Sequence, residues 1–279
     1  MNTHTTNHSQ RSRPAPIDER RSPAPSLLDA ILSPLAKPAK HSESGTFLTA
    51  ATVVLTPDGS PIRSVLTGRR IMVTGFYTSR KAGCAMPYEG MNELALLKHC
   101  EVDTSVIDYR SQPFRFEFVI DGVKRTYIAD CTRLMDDGTI EVLEAKASSK
   151  YLRDPKYAEK LKAVESTCNK LGWRFRAVTR NHLFEPRPVF ANVDLIQSRR
   201  FVRIDEADAY RTVEFIEGEG GETTLGRLSE VLGRGPGGFA IAQAMMVRRL
   251  ITLDLRAPLS AMSLVTLVNG RPAKRRATR

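Results

Sequence analysis

The sequence has few cysteines, four in 279 residues, and they lie far apart. None forms a CxxC pair or a Cys/His spacing typical of zinc sites, which argues against a zinc centre or a disulfide framework. Long apolar runs are also absent. No stretch approaches the roughly 18 residues that a transmembrane helix needs, and no hydrophobic stretch near the N-terminus precedes a cleavage site. We therefore expect a cytoplasmic protein that has no membrane partner.

Basic residues outnumber acidic ones, and the formal net charge is +11. Such a charge favours a polyanionic partner, because each neutralised phosphate releases a counterion. Charge alone does not identify the partner, since a ribosomal, membrane-surface or merely solvated protein can have the same balance. The length predicts two domains, a catalytic core and a smaller module.

Composition divides the chain into four parts. Residues 1–45 are rich in proline and serine and predict a disordered arm. Leucines and isoleucines from Leu27 to Leu35 have helical spacing, so a short helix that orders on a partner is the alternative. Residues 46–189 form the larger predicted domain, residues 190–268 a small module, and residues 269–279 a basic tail.

Periodicity in the second part predicts an α/β core with the order helix, three-strand meander, helix, strand. A preceding strand, residues 71–77, leads into a basic, flexible segment. The strands alternate between faces, and Asp154 with Pro155 marks the start of the second helix. The predicted core elements are a helix at 88–97, strands at 114–120, 123–134 and 139–146, a helix from Pro155 to Gly172, and a strand at 173–179.

The third part has the outline of a winged helix: a helix capped by Thr223, a glycine-rich turn at 235–238, a helix at 239–249 and a strand at 251–255. A small helical bundle that contacts protein is an equal alternative. Arg248 and Arg249 mark the helix that would face DNA.

The loop Asp136-Asp137-Gly138 carries the sharpest prediction. If it is a three-residue hairpin loop with Gly138 in the left-handed conformation, Met135 opposes Thr139. Counting back, Asp130 then faces Glu144. Directly opposed residues place their Cβ atoms about 4.5 to 5.5 Å apart, where two carboxylates repel unless a cation or a shared proton compensates.

Lys146 follows Glu144 on the same face of the strand. Two carboxylates can hold a hard cation such as Mg²⁺, the Ala145 carbonyl can add an oxygen ligand, and the lysine can orient water or a phosphate oxygen. This pattern predicts a site that hydrolyses a phosphodiester. An exposed salt-bridge ladder is the alternative, because a slip of one residue in the loop would break the alignment.

Asp130 followed by Glu144-Ala-Lys146, between an acidic helix and a later helix and strand, resembles the PD-(D/E)XK nuclease superfamily. More narrowly, the segments Tyr88-Glu-Gly-Met-Asn-Glu93 and Ser105-Val-Ile-Asp-Tyr-Arg-Ser-Gln112-Pro113 resemble the TnsA family of heteromeric transposase endonucleases. The likeness covers roughly residues 70 to 180. It implies a restriction-endonuclease-like fold.

The resemblance also implies roles for residues. Glu93, Asp130 and Glu144 would hold Mg²⁺, for which Mn²⁺ can substitute, and Lys146 would assist the attacking water. Gln112 would support the site or contact phosphate, and a buried amide that fixes the start of a strand is the alternative. Arg110 and Arg115 are candidates for contact with the DNA backbone, although single arginines beside a strand also serve structural roles.

By the same resemblance the protein would cut the 5′-end strand at the ends of a transposon in double-stranded DNA. A separate DDE transposase subunit would cut the other strand, and an AAA+ ATPase regulator is a further candidate partner. Two alternatives remain open. One is a stand-alone nuclease of restriction, repair or resolvase type, and the other is a non-catalytic DNA-binding assembly factor.

Overall fold

A computed structural model describes residues 26–35, 51–56, 59–63, 73–120, 122–148, 150, 153–233 and 235–268. Within these ranges the chain forms eight α-helices and twelve β-strands, which confirms a mixed α/β architecture. The predicted basic tail and most of the predicted disordered arm lie outside the described ranges. None of the helices in the described part of the chain is both long and apolar enough to cross a membrane.

The central sheet has four strands in the order β4-β7-β8-β9. Neighbours are antiparallel except β8 and β9, which run parallel. Helix α3 connects these two parallel strands, as a crossover requires. Strand β8 is buried along almost its whole length, as expected for a strand covered on both faces. The bounds are α2 (Met91–Val102), β4 (Val106–Ser111), β7 (Cys131–Met135), β8 (Ile140–Lys146), α3 (Pro155–Lys170) and β9 (Arg174–Thr179).

The two predicted helices and the final strand are present, but the predicted three-strand meander between them is wrong, because five strands lie between the two helices. The segment 123–134 is two strands, β6 (Val123–Ile128) and β7, and they belong to different sheets. Strand β5 (Phe114–Ile120) and β6 form a hairpin between β4 and β7, and β1 (Ala51–Leu55) pairs with β5. The strand β4 was not predicted.

The chain passes from one sheet to the other at two bends that face each other, one between β4 and β5 and one between β6 and β7. Gln112 has a φ of 49°, a left-handed backbone that non-glycine residues rarely adopt. Pro113 follows it and has no N–H to donate to a ladder. The Gln112 N–H points to the Asp130 carbonyl at 3.4 Å. The bend between β6 and β7 therefore places Asp130 directly before β7, at the junction of the two sheets.

Helix α1 (Leu27–Leu35) lies within the segment predicted as a disordered arm, and for these residues that prediction does not hold. Leu27 and Ile31 are fully buried against the chain's own core. The Leu27 N–H donates to the Asp108 carboxylate at 2.9 Å. The helical spacing in the sequence thus reflects packing within this chain.

Helix α2 begins later than predicted. Strands β2 (Thr74–Thr78) and β3 (Ala85–Glu89) form a ribbon, and Gly90, with φ 89°, turns the chain into the helix. Glu89 is therefore on a strand and not one helical turn from Glu93. Helix α3 begins as predicted, because the Asp154 side chain accepts from the Tyr157 N–H at 2.9 Å.

The C-terminal part has its own apolar cluster, to which Val102 of α2 also belongs. Helix α5 packs against α2, so the module is joined to the α/β core. Thr224, one residue after the predicted cap, caps α7, and the glycine-rich run is the first turn of α8. The last three strands pair in the order β10-β12-β11. The bounds are α4 (Arg180–Phe184), α5 (Arg187–Ser198), α6 (Glu206–Gly218), β10 (Glu222–Thr224), α7 (Leu225–Val231), α8 (Gly235–Val247), β11 (Ile251–Leu253) and β12 (Leu264–Leu267).

Candidate active site

The predicted register of the β7–β8 hairpin is confirmed. Cys131 pairs with Leu143, and Met135 donates to the Thr139 carbonyl at 2.9 Å. Gly138 has a φ of 81°, the left-handed conformation that the three-residue loop requires. Continuing the pairing by one step places Asp130 opposite Glu144.

Glu144 is buried, with 4% of its surface exposed, and its two oxygens have hydroxyl partners. Oε2 accepts from Tyr127 at 2.7 Å, and Oε1 accepts from Tyr157. The Lys146 ammonium lies 2.5 Å from the same Oε1. A buried carboxylate needs such donors, because burial without hydrogen bonds is costly. Glu144 is thus held from three elements: β6, α3 and β8.

Asp130 is partly buried beside Glu144. Its Oδ2 accepts from the Ala145 N–H at 2.7 Å. Burial raises the pKa of Asp130 well above its usual range, and the Glu144 and Glu93 carboxylates raise it further. The Ala145 bond and the Lys146 ammonium lower that pKa without cancelling the rise. Asp130 therefore stands in a local excess of negative charge.

Glu93 lies in the first turn of α2 and completes the acidic group. Its Oε2 accepts from the Glu89 N–H at 2.8 Å. Burial raises the pKa of Glu93 to about 7, with Arg63 lowering it and Glu144 raising it. The Glu144 carboxylate raises the pKa of both Glu93 and Asp130, and the Glu93 carboxylate raises that of Asp130, so the three acids predicted to share a site lie close together.

Lys146 lies beside the acidic group, and 25% of its side chain is exposed. Burial lowers the pKa of its ammonium, but the Glu144 and Asp130 carboxylates more than offset this and the net pKa is raised. Its Nζ also lies 5.1 Å from the centre of the Tyr157 ring. Lys146 is therefore a cation at neutral pH, fixed beside two carboxylates.

These side chains line two adjoining cavities. The larger, of about 1060 Å³, is lined by Glu93, Asp130, Ala145 and Lys146. The smaller, of about 290 Å³, is lined by Asp130, Glu144, Lys146 and the two tyrosines. Basic residues around the openings are Arg63, Lys150, Lys160 and Arg180.

The donor set fits a hard divalent cation in kind and in charge. Carboxylate oxygens are the ligands that Mg²⁺ prefers, and the raised pKa values mark a site that a cation would relieve. Among the described residues, however, no group of three or more His, Cys, Asp or Glu side chains is arranged to hold a metal ion. Glu144, whose oxygens are bonded to the tyrosines and Lys146, would have to offer a remaining lone pair or exchange a donor.

The other core residues named from the sequence have partners within the chain. Gln112 is fully buried, and its Oε1 accepts from Arg63 at 3.1 Å, so it helps to hold Arg63, which lines both cavities. Arg110 pairs with Asp108 at 2.5 Å and Arg115 with Glu117 at 2.5 Å. These bonds favour structural roles for the two arginines.

Arg248 and Arg249 follow the end of α8 and are not on its exposed face. Arg248 donates to the Val202 carbonyl at 2.9 Å, and Arg249 donates to the Thr104 carbonyl at 2.7 Å. Arg249 has a φ of 58°. The two guanidinium groups tie the C-terminal part to the chain's own backbone, which favours packing over contact with DNA.

Three residues at the site were missed by sequence reasoning. Tyr127 was assigned only to a predicted strand, Tyr157 only to the predicted helix from Pro155 to Gly172, and Arg63 to no element. Arg63 lies 3.2 Å from Glu89 and donates to Gln112. A tyrosine on an apolar stripe needs a partner for its hydroxyl when it is buried. That requirement was the available signal for Tyr157.

Comparison with known proteins gives one family. A search of curated proteins finds no match. The family described as TnsA-like endonuclease, N-terminal, matches residues 103–180, a segment that contains Asp130, Glu144 and Lys146 but not Glu93. A match to this family indicates a nuclease related to transposition. Residues 103–180 are therefore similar to the TnsA-like endonuclease N-terminal domain, which confirms the resemblance inferred from the sequence.

Proposed function

We propose that this protein is a Mg²⁺-dependent DNA endonuclease that cuts the 5′-end strand at transposon ends. It would act as one subunit of a heteromeric transposase, with a DDE transposase subunit cutting the other strand. The observation that carries the proposal is the register of the β7–β8 hairpin, which when continued by one residue sets Asp130 opposite Glu144, with Lys146 beside them at the cleft. The family match to the same segment supports it.

The chain's own residues suit phosphodiester hydrolysis. Glu93, Asp130 and Glu144 would hold the cation, which when bound supplies polarisation of the phosphoryl group and a lower pKa for water. Lys146 presents its ammonium to the same cleft, where it can orient water or offset charge on a phosphate oxygen. The structure supports these roles by proximity and by charge.

The rim of the cleft supplies sites for the DNA backbone. Lys150 and Arg180 are exposed and line the larger cavity, and neither pairs with a carboxylate of the residues that the structure describes, so they can contact phosphate. Arg180 also lies over the Phe184 ring at 4.6 Å, which holds its position. These residues are better candidates for DNA contact than Arg110 and Arg115, which are paired internally.

We also propose that the C-terminal part is a winged-helix-like module. Helix α6, strand β10, helices α7 and α8, and strands β11 and β12 follow the order of that fold, and the strands form one small sheet. Helix α8 carries no basic residue between Gly235 and Val247. This composition favours contact with a partner protein, such as an AAA+ regulator, over reading of a DNA groove.

The test is an end-cleavage assay with the cognate DDE transposase, Mg²⁺ and labelled transposon ends. We expect Lys146→Ala to lower cleavage of the 5′-end strand by about 100-fold or more, because a fixed charge at the reacting phosphate is lost. Lys170→Ala is the matched control, since Lys170 is exposed on α3. Asp130→Ala should abolish cleavage as well.

The alternatives predict different results. Equal cleavage by wild type and Lys146→Ala would contradict catalysis by this site and favour an assembly factor. Efficient cleavage of unrelated duplexes without the transposase would favour a stand-alone nuclease. Activity that persists in chelator would overturn the metal requirement.

A further inference from the structure

The carboxylate of Glu144 is fixed by two tyrosines that lie on separate elements. Tyr127 is on β6, in the sheet next to the central one, and is 3% exposed. Tyr157 is near the start of α3 and partly buried. Each hydroxyl donates to a different oxygen of the same carboxylate. We propose that Tyr127 and Tyr157 are positioning residues that set the orientation of Glu144, and through it Lys146, at the cleft.

The geometry supports this role over general packing. A tyrosine ring needs no carboxylate in order to pack, whereas here both hydroxyls converge on one group whose own surface is 4% exposed. A carboxylate has about four lone-pair sites, and Oε1 already receives Tyr157 and Lys146. Oε2 receives Tyr127 and keeps one lone pair for a further partner. Tyr127 thus decides which way that lone pair faces.

Cations reinforce the arrangement. Lys146 lies 5.1 Å from the centre of the Tyr157 ring, and Lys160 lies 5.7 Å from the centre of the Tyr127 ring. Each ring is therefore held by a lysine as well as by its hydroxyl bond. Lys160 lines the smaller cavity together with both tyrosines. The tyrosines join the ammonium groups and Glu144 in one network.

The inference rests on the proposed metal-dependent function, because its consequence is metal affinity. Groups that orient a metal ligand typically contribute 10- to 100-fold to affinity. We expect Tyr127→Phe to weaken Mn²⁺ binding by about that factor. Tyr157→Phe should have a smaller effect, because Lys146 continues to donate to the same oxygen. Phenylalanine keeps the ring and removes only the hydroxyl.

The experiment is isothermal titration of the full-length protein with Mn²⁺ alone, without DNA. Tyr210→Phe is the matched control, since Tyr210 is 52% exposed on α6. Thermal unfolding in chelator, run in parallel, reports folding of each variant. If Tyr127→Phe fails to fold, Tyr157→Phe still tests the proposal, because that side chain is only partly buried.

The outcomes separate the inference from the function on which it rests. A Mn²⁺ dissociation constant for Tyr127→Phe equal to that of Tyr210→Phe overturns the positioning role. So does tighter binding by Tyr157→Phe, which would make that hydroxyl a competitor of the metal. Wild type that binds Mn²⁺ no better than Asp130→Asn contradicts the proposed metal-dependent function itself.

Discussion

The ionised form of Glu93 should destabilise the metal-free protein, and Glu93→Gln tests this directly. The substitution removes the charge but keeps an oxygen that can accept the Glu89 N–H, now bonded at 2.8 Å. Glutamine also has nearly the same volume. Any change in stability that depends on pH therefore reports on ionisation and not on packing.

The magnitude follows from the pKa of Glu93, which burial, as its largest cause, raises from 4.5 to about 7. One pKa unit corresponds to about 1.4 kcal/mol, so the full cost of ionising Glu93 in the folded state is about 3 kcal/mol. The pKa of Glu93 is higher in the folded protein than in the unfolded chain, so protonated Glu93 stabilises the fold, and this contribution is fully present below about pH 4.5. It is lost as pH rises and is gone above about pH 7.

The assay is urea denaturation in chelator at pH 5 and pH 8, comparing wild type with Glu93→Gln. We expect the free energy of unfolding of the variant, relative to wild type, to be higher at pH 8 than at pH 5, by up to about 3 kcal/mol. Glu214→Gln, at an exposed position of α6, serves as the control and should show no such gain. A Glu93→Gln difference that is the same at both pH values would refute the reasoning.

Two further predictions concern the packing of the fold. Ile31→Ala should lower the free energy of unfolding by about 2 to 5 kcal/mol in urea denaturation, because the side chain is fully buried. Leu32→Ala is the control and should have little effect, because Leu32 is 46% exposed. Equal effects of the two substitutions would contradict the packing of α1. Arg249→Ala should lower the free energy of unfolding by about 1 to 3 kcal/mol, because the hydrogen bond to the Thr104 carbonyl is lost. In filter binding, this variant should bind duplex DNA with the same affinity as the control variant Arg187→Ala. A loss of DNA affinity at unchanged stability would instead assign Arg249 to DNA contact.

Several features were determined by the sequence alone, because their causes are local. The three-residue loop ending at Gly138 set the register that places Asp130 opposite Glu144. Asp154 fixed the start of α3 through one hydrogen bond to a neighbouring N–H. A left-handed glycine and a capping carboxylate each act on residues a few positions away, so the local sequence was sufficient to predict the loop register and the start of the helix.

Other features were decided only by the tertiary structure. The sequence pattern of segment 123–134 is that of one strand, yet the segment divides into β6 and β7 where the backbone bends opposite Gln112. Its sequence does not indicate which sheet each half joins. Helix α1 had the spacing of an amphipathic helix but no local sign of its binding surface. The two tyrosines on Glu144 come from residues 17 and 13 positions away along the chain. Long-range hydrogen bonds and burial depend on how separate elements pack, and that information is spread over the whole sequence.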